Sequence, residues 1–397
     1  MNSTPTTSKQ RIDTLDILRG VSLLGILLVN MFAFSTPLPY IDLKTFFTTS
    51  IDKEYQKALD ILVQGSFYPL FSMLFGYGLA MQYAKATRLG DSFYKFGIKR
   101  LVVLFGIGML HAFFIWWGDI LMTYAFCGLV LLTLIRLKPG FLLAIGLIFY
   151  MGINGVLALL IGFASIADSS SNDSSQYIDI ESMESALKAY GAGSWTDAFM
   201  QRLTDLSVQF SPFMWLMALF TILPYMLLGA AASKWQLVEK AKSNYVLWGV
   251  LAVVMVPLGI YLKSLPFTLN RNYFLDYIQT YFGGPILALG YASVIVLICC
   301  IPYATIILSP IAKAGRMSMT VYITQSIICT LIFYHFGLGL YGKIGVDTAT
   351  WMAIGIYAIQ LVLATIWFTF FKQGPIEAVW KRITYGKYVP KKEEINQ

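Results

Sequence analysis

Histidine and cysteine are nearly missing from this chain of 397 residues, which holds two of the first and four of the second, and charged residues make up only 13% of it. Each shortage closes off a class of function. Cys127, Cys299, Cys300 and Cys329 all lie inside apolar runs, with no CxxC or Cys/His ligand spacing, so neither a disulfide framework nor a zinc site is expected. No P-loop, Rossmann glycine pattern, HExxH or GxSxG occurs in its required context, which removes nucleotide hydrolysis, hydride transfer and zinc proteolysis, and no tightly bound cofactor is expected. The net charge of +8 would suit nucleic acid, but the basic residues fall at the ends of apolar runs, where membrane topology alone puts them. Nucleic-acid binding is therefore set aside. No small-residue cleavage site follows the first apolar run, which reads as a retained helix and not a signal peptide.

What the chain has in quantity is apolar surface: 57% hydrophobic and 15% aromatic residues, with a mean hydropathy of +0.66. Several runs reach the roughly 20 residues that cross a bilayer as a helix. The expected fold is all-α, a polytopic helical membrane protein in one integral domain, 1–397, in the cell membrane with the lipid bilayer as its partner; oligomeric assembly stays open. About ten spans are expected, near 16–36, 59–83, 99–117, 119–135, 140–164, 208–232, 244–263, 280–302, 316–339 and 349–371. With the N-terminus inside, the inner segments carry 20 of the 29 Lys and Arg and the outer ones 8, so both termini are expected in the cytoplasm. The extracytoplasmic loop 165–206 opens with DSSSNDSSQ and continues with a helix-like pattern, and 373–397 reads as a cytoplasmic tail. The glycine- and proline-bearing stretches Gln64–Gly78 and Phe282–Gly290 predict close helix packing ahead of a kink.

Polar residues inside such runs are costly against lipid, so they should face other helices or a wet cavity. In the first run Arg19 and Asn30 stand eleven residues apart, three helical turns or about 16 Å, on one face, with Asp16 one turn before Arg19. Arg100 and His111 repeat that spacing in the third run. Two helices that each present an inner cation and a deep polar group suit an acyl-CoA, whose phosphates lie at one end and thioester at the other. Each residue also has a plainer reading, as an inner anchor for the arginines and an interhelical hydrogen bond for Asn30 and His111. Asp119, just past a Gly118 turn, either orients His111 or caps the next helix, and capping is the simpler expectation. His335, near the outer end of its run, reads as an interfacial or packing residue. Ser318, Thr320, Tyr322, Thr324 and Gln325 make the ninth span polar at its inner half, lining a pocket or bonding a neighbouring helix.

Four motifs in order, RIDTLDILRGVSLLGILLVN at Arg11–Asn30, HAFFIWWGDILMTYAFCGLVLL from His111, AGRMSMTVYITQS from Ala314 and QGPIEAVWKRITYGK from Gln373, resemble the YeiB-like family of bacterial membrane proteins, domain of unknown function 418. The first-helix pattern is also similar to that of transmembrane acyltransferases, the heparan-α-glucosaminide N-acetyltransferase and acyltransferase-3 types. Arg19 matches the arginine of the acyltransferase-3 motif. The histidine eleven positions on is Asn30 here, as in the heparan-type enzyme, and that enzyme's following histidine has no counterpart from Met31 to Ile51. The resemblance implies transfer of an acyl group, acetyl from acetyl-CoA above all, from the cytoplasm to an envelope glycan, lipid or small-molecule acceptor. His111 would be the base, Asn30 its helper at the carbonyl, and Arg19 and Arg100 the donor-phosphate residues, with Asp119, Tyr322 and Gln325 near the substrate. A transporter or lipid flippase using the same stripe, or a non-catalytic scaffold, is the competing expectation.

Overall fold

The computed structural model describes residues 12–90, 92–167 and 179–385, and among these there is helix and no strand. In chain order the helices are α1 Asp13–Ser35, α2 Leu43–Phe46, α3 Ser50–Leu62, α4 Phe67–Arg88, α5 Phe93–Phe114, α6 Leu121–Leu134, α7 Pro139–Ala167, α8 Ile180–Gly191, α9 Trp195–Gln209 and α10 Pro212–Thr221. Then follow α11 Leu223–Lys234, α12 Tyr245–Thr268, α13 Tyr273–Ile278, a π-turn at Gln279–Gly283, α14 Gly284–Cys300, α15 Ala304–Ile307, α16 Ser309–Arg316, α17 Ser318–Phe333, α18 Val346–Phe370 and α19 Pro375–Tyr385. The protein is a polytopic helical membrane protein.

Among the described residues eight stretches are long and apolar enough to cross a membrane: α1, α3–α4, α5, α7, α10–α11, α12, α13–α14 and α18. The other two expected spans differ in form. The one near 119–135 is the 14-residue α6, and the one near 316–339 is α17, 16 residues set at 85° to α16. At 1.5 Å per residue neither alone reaches the roughly 30 Å of a hydrocarbon core, though α16 and α17 taken together are long and apolar enough.

Burial sorts the helices into centre and rim. Two-thirds of the apolar window of α1 is buried, against 11% for α12 and 17% for α7, whose outward faces carry Val253, Leu159, Phe163 and Ile166 in the open. An apolar rim of that extent is covered by lipid. The centre is held by close crossings. A Cβ on Gly20 would run into the Ile311 carbonyl of α16, and one on Gly315 into the Asp16 carbonyl of α1, so these glycines let the two backbones touch. Tyr357 of α18 donates to the Gly20 carbonyl at 2.6 Å, tying a third helix to the same point.

The two stretches rich in breakers meet each other. Gly65, at φ +74°, makes the turn between α3 and α4, and a Cβ on Gly284 would strike its carbonyl. Lys263 of α12, fully buried, donates to the Gln64 carbonyl and to Ser66 Oγ at 3.1 Å, while Gln279 Nε2 donates to the Lys263 carbonyl at 2.8 Å. Packing and a break in helix coexist here, and Lys263 is an interior strut.

Of the loop 165–206, residues 165–167 extend α7, residues 168–178, which hold all of DSSSNDSSQ, lie outside the described residues, and the rest forms α8 and most of α9. Asp179 accepts from the Ser182 N–H and Ser194 from the Asp197 N–H, and Asp197 returns a bond to the Ser194 N–H, so each helix starts at a side-chain cap. Both capping carboxyls are held below the usual range by hydrogen bonds from the serines. Within the tail 373–397, residues 375–385 form α19, which packs on α5 and α17, and 386–397 lie outside the described residues.

Candidate active site

α5 stops at Phe114, and the chain turns through Trp116, Trp117 and Gly118 into α6. A Cβ on Gly118 would overlap the Trp116 ring, and one on Gly108, a turn before His111, would come within 2.8 Å of Asp119 Oδ1. The two glycines thus allow a turn tight enough to fold Asp119 back onto its own helix. His111 Nδ1 lies 2.8 Å from Asp119 Oδ2, and Asp119 Oδ1 accepts from the Met122 N–H at 2.9 Å. Asp119 therefore does both things expected of it as alternatives: one oxygen holds the first turn of α6, the other holds the imidazole. Both side chains are buried, His111 at 1% exposure, so His111 does not face lipid.

A carboxylate at Nδ1 selects the tautomer that leaves Nε2 free to accept a proton. Nε2 is buried and has no hydrogen-bond partner among the described residues. Around it stand Tyr322, whose ring centroid is 5.2 Å from that of His111 and whose hydroxyl donates to the Gly118 carbonyl at 3.2 Å, and Trp116, stacked at 4.0 Å on Phe34 of α1. Phe34 is one turn beyond Asn30, so Trp116 joins His111 to the outer half of α1, where Asn30 is half-buried.

Gln325 is drawn elsewhere. Its amide donates to Gln360 Oε1 of α18 at 3.0 Å, and Gln360 donates in turn to Thr324 Oγ1 and the Val321 carbonyl, a clamp between two helices. Thr320 and Glu377 form a second clamp. Glu377 of α19 accepts from the Met319 and Thr320 N–H groups and from the Thr320 hydroxyl at 2.6–3.1 Å, satisfying donors that the bend before α17 exposes. Of the polar stripe on α17, Tyr322 reaches the histidine, and Thr320, Thr324 and Gln325 serve helix packing.

The inner end gathers arginines. Arg19 Nη1 bonds Asp16 Oδ1 at 2.8 Å, and Arg316 bonds Asp13 at 2.6 Å and lies 3.4 Å from the second oxygen of Asp16. Arg100 sits 3.9 Å over the ring of Trp380 and lies within electrostatic range of Arg19. Arg316 enters the sequence reading only as a topology charge, although it stands inside the AGRMSMT motif. A separate cavity of about 520 Å³ between α7 and α13, lined by residues such as Asp276, Tyr277 and Tyr281, includes none of these side chains.

Two residues of α9 escape a reading by hydropathy. Arg202 of α9 is buried at 1% exposure, and its Nη1 donates to the Phe113 carbonyl at 2.9 Å, two residues from His111. Gln209, from the same helix, donates to the Asp119 carbonyl at 2.6 Å.

Comparison with known proteins agrees with the motifs. A family model described as Protein of unknown function (DUF418) matches residues 232–387. "Uncharacterized protein YxaH" of Bacillus subtilis (strain 168) is 32% identical over 400 residues, 97% of each chain. The chain belongs to the DUF418 family. "Uncharacterized protein YeiB" of Escherichia coli (strain K12) is 31% identical over 94% of this DUF418 chain and 96% of its own, and "Uncharacterized 39.9 kDa protein in amylase 3'region" of Bacillus acidopullulyticus is 29% identical over 97% of each. The matched family segment takes in α12–α19, hence Arg316, Tyr322 and Glu377, while His111 and Asp119 lie before it. The likeness to acyltransferases rests on the first-helix pattern alone.

Proposed function

We propose that this DUF418 protein moves an acyl group, acetyl in the first instance, from a cytoplasmic acyl-CoA to a hydroxyl or amine on an envelope glycan, lipid or small molecule. The observation that supports this most is the buried His111–Asp119 pair with Nε2 unpartnered, because a general base needs a fixed tautomer and a free nitrogen. His111 Nε2 takes the proton of the acceptor hydroxyl or amine as its oxygen or nitrogen attacks the thioester carbonyl. The carbon–sulfur bond then breaks, and the imidazolium returns the proton to the departing thiolate. Asp119 balances the charge on the ring meanwhile. The Asn30 amide is a donor for the carbonyl oxygen as it becomes negative. Arg19 and Arg100, three turns inward on α1 and α5, carry the charge for the donor phosphates, with Arg19 shared with Asp16.

Purified protein should consume acetyl-CoA thioester in the presence of acceptor. His111→Ala should abolish turnover while leaving acyl-CoA binding intact, whereas Arg100→Ala should mainly weaken binding. Full activity in His111→Gln would remove the base, and failure of the detergent-solubilised protein to bind any acyl-CoA would overturn the reading in favour of a transporter.

A further inference from the structure

Among the described residues, eight buried side-chain nitrogen or oxygen atoms have no hydrogen-bond partner, and six of them belong to the end of α5 and its turn into α6, to α9 and to the end of α17: His111 Nε2, Trp116 Nε1, Arg202 Nε, Gln209 Oε1, Tyr334 Oη and His335 Nδ1. A buried partnerless polar atom costs about 1–3 kcal/mol, so a cluster of them marks a place built for a polar group. Mutual pairing does not account for it. Trp116 and Arg202 can only donate and Gln209 Oε1 can only accept, yet no bond joins any of these atoms to another.

Arg202 is the charged member. Among the described residues no carboxylate lies within ion-pair distance of it, and its Nη1 donates to a neutral carbonyl. Asp205, one turn further on α9, is spent on neutral donors: Tyr40 Oη at 2.6 Å, Tyr190 Oη at 2.6 Å and Gln201 Nε2 at 3.0 Å. Burial pushes the Asp205 carboxyl up, against those hydrogen bonds and the nearby charge of Arg202, which lower it. Tyr190 stacks on Tyr334 at 4.4 Å, and Tyr334 is close enough to feel the charge of Arg202. Lys263, the other fully buried cation, is satisfied by Gln64 and Ser66 and holds a helix junction instead.

We propose that Arg202, with the Tyr334 hydroxyl, binds an oxyanion carried by the acceptor, so that the substrate class is a phosphate- or carboxylate-bearing alcohol or amine and α9 is its specificity element. The word acceptor rests on the acyl-transfer reading; the anion site does not. A guanidinium edge presents Nε–H and Nη–H to two oxygens at once, which both anions supply. The anion would give Arg202 Nε the acceptor it lacks, and its carrier would extend toward His111 beyond Phe113.

The test is calorimetric binding to the purified full-length protein in detergent, without acyl-CoA, using glycerol 1-phosphate, glycerate and glycerol as probes. At least one anion should bind about tenfold or more tighter than glycerol, and whichever binds tighter assigns the oxyanion. Arg202→Gln should remove that preference and Arg202→Lys should keep part of it, while Lys188→Gln, on the exposed face of α8, should change nothing. Should Arg202→Gln fail to fold, Tyr334→Phe deletes only a hydroxyl and should still weaken the anion by a few-fold. No preference in the wild-type protein, or equal binding in wild type and Arg202→Gln, overturns the proposal and leaves water as the partner of these atoms. Anion binding without thioester consumption would fail the acyltransferase alone, and thioester consumption without anion preference would fail the anion site alone.

Discussion

The two oxygens of Asp119 hold different partners, so substitution can separate catalysis from folding. In Asp119→Asn the side-chain carbonyl can still accept from the Met122 N–H, but the amide offers the imidazole no charge and the wrong tautomer becomes available. Turnover is expected to fall on the order of 10²- to 10⁴-fold with thermal stability nearly unchanged. Asp119→Ala loses both bonds and should in addition cost about 1–3 kcal/mol of stability, read as a lower unfolding temperature. Equal activity in Asp119→Asn and wild type would exclude the orienting role. The pair was legible as a candidate because a histidine and an aspartate flank one short glycine turn, but sequence spacing offered no way to see that one carboxylate serves both partners. Arg202 was not legible. Its helix carries charges at mixed spacing, like any outer loop segment, and only the tertiary fold turns that residue inward to the Phe113 carbonyl.

At the scale of helices, apolar runs made the spans readable, yet the 85° break between α16 and α17 escaped them, since no proline stands at the join. The bend is imposed from outside the segment. Gly315 presses on α1, Arg316 is drawn to Asp13 and Asp16, and Glu377 from α19 receives the N–H groups that the break exposes. Gly315→Ala should therefore destabilise by about 1–3 kcal/mol, as overpacking does, because its Cβ has only the Asp16 carbonyl to push. Gly355→Ala, in α18 with nothing near the new Cβ, should be neutral or gain up to about 1 kcal/mol from helix propensity. Thermal unfolding of the two variants side by side checks the crossing, and equal stabilities would mean that α1 and α16 have room to separate. Glu377→Ala should behave like Gly315→Ala, at about 1–3 kcal/mol, by leaving the start of α17 unpaired.

For the whole molecule, the question is which end of α5 faces the cytoplasm, because an acyl group can reach an outer acceptor only if Arg100 and His111 point to opposite sides. The charge bias favours Arg100 inward, and burial sharpens it: Arg202 and Lys263, two of the eight outer cations, are enclosed by protein and exert no pull at the lipid surface. The helix pair α8–α9 should then lie outside, and the turn region 235–244 inside. Cysteine labelling tests this on intact cells. Cys127 and Cys329 are buried, and replacing Cys299 and Cys300 by serine clears the half-exposed pair. On that background Glu184→Cys, in exposed α8, should react with a membrane-impermeant maleimide added to whole cells. Lys242→Cys, exposed beyond α11, should react only after the membrane is permeabilised. Labelling of both from one side would put Arg100 and His111 in a different relation to the bilayer, and acyl transfer across it would lose its route even with the His111–Asp119 pair intact.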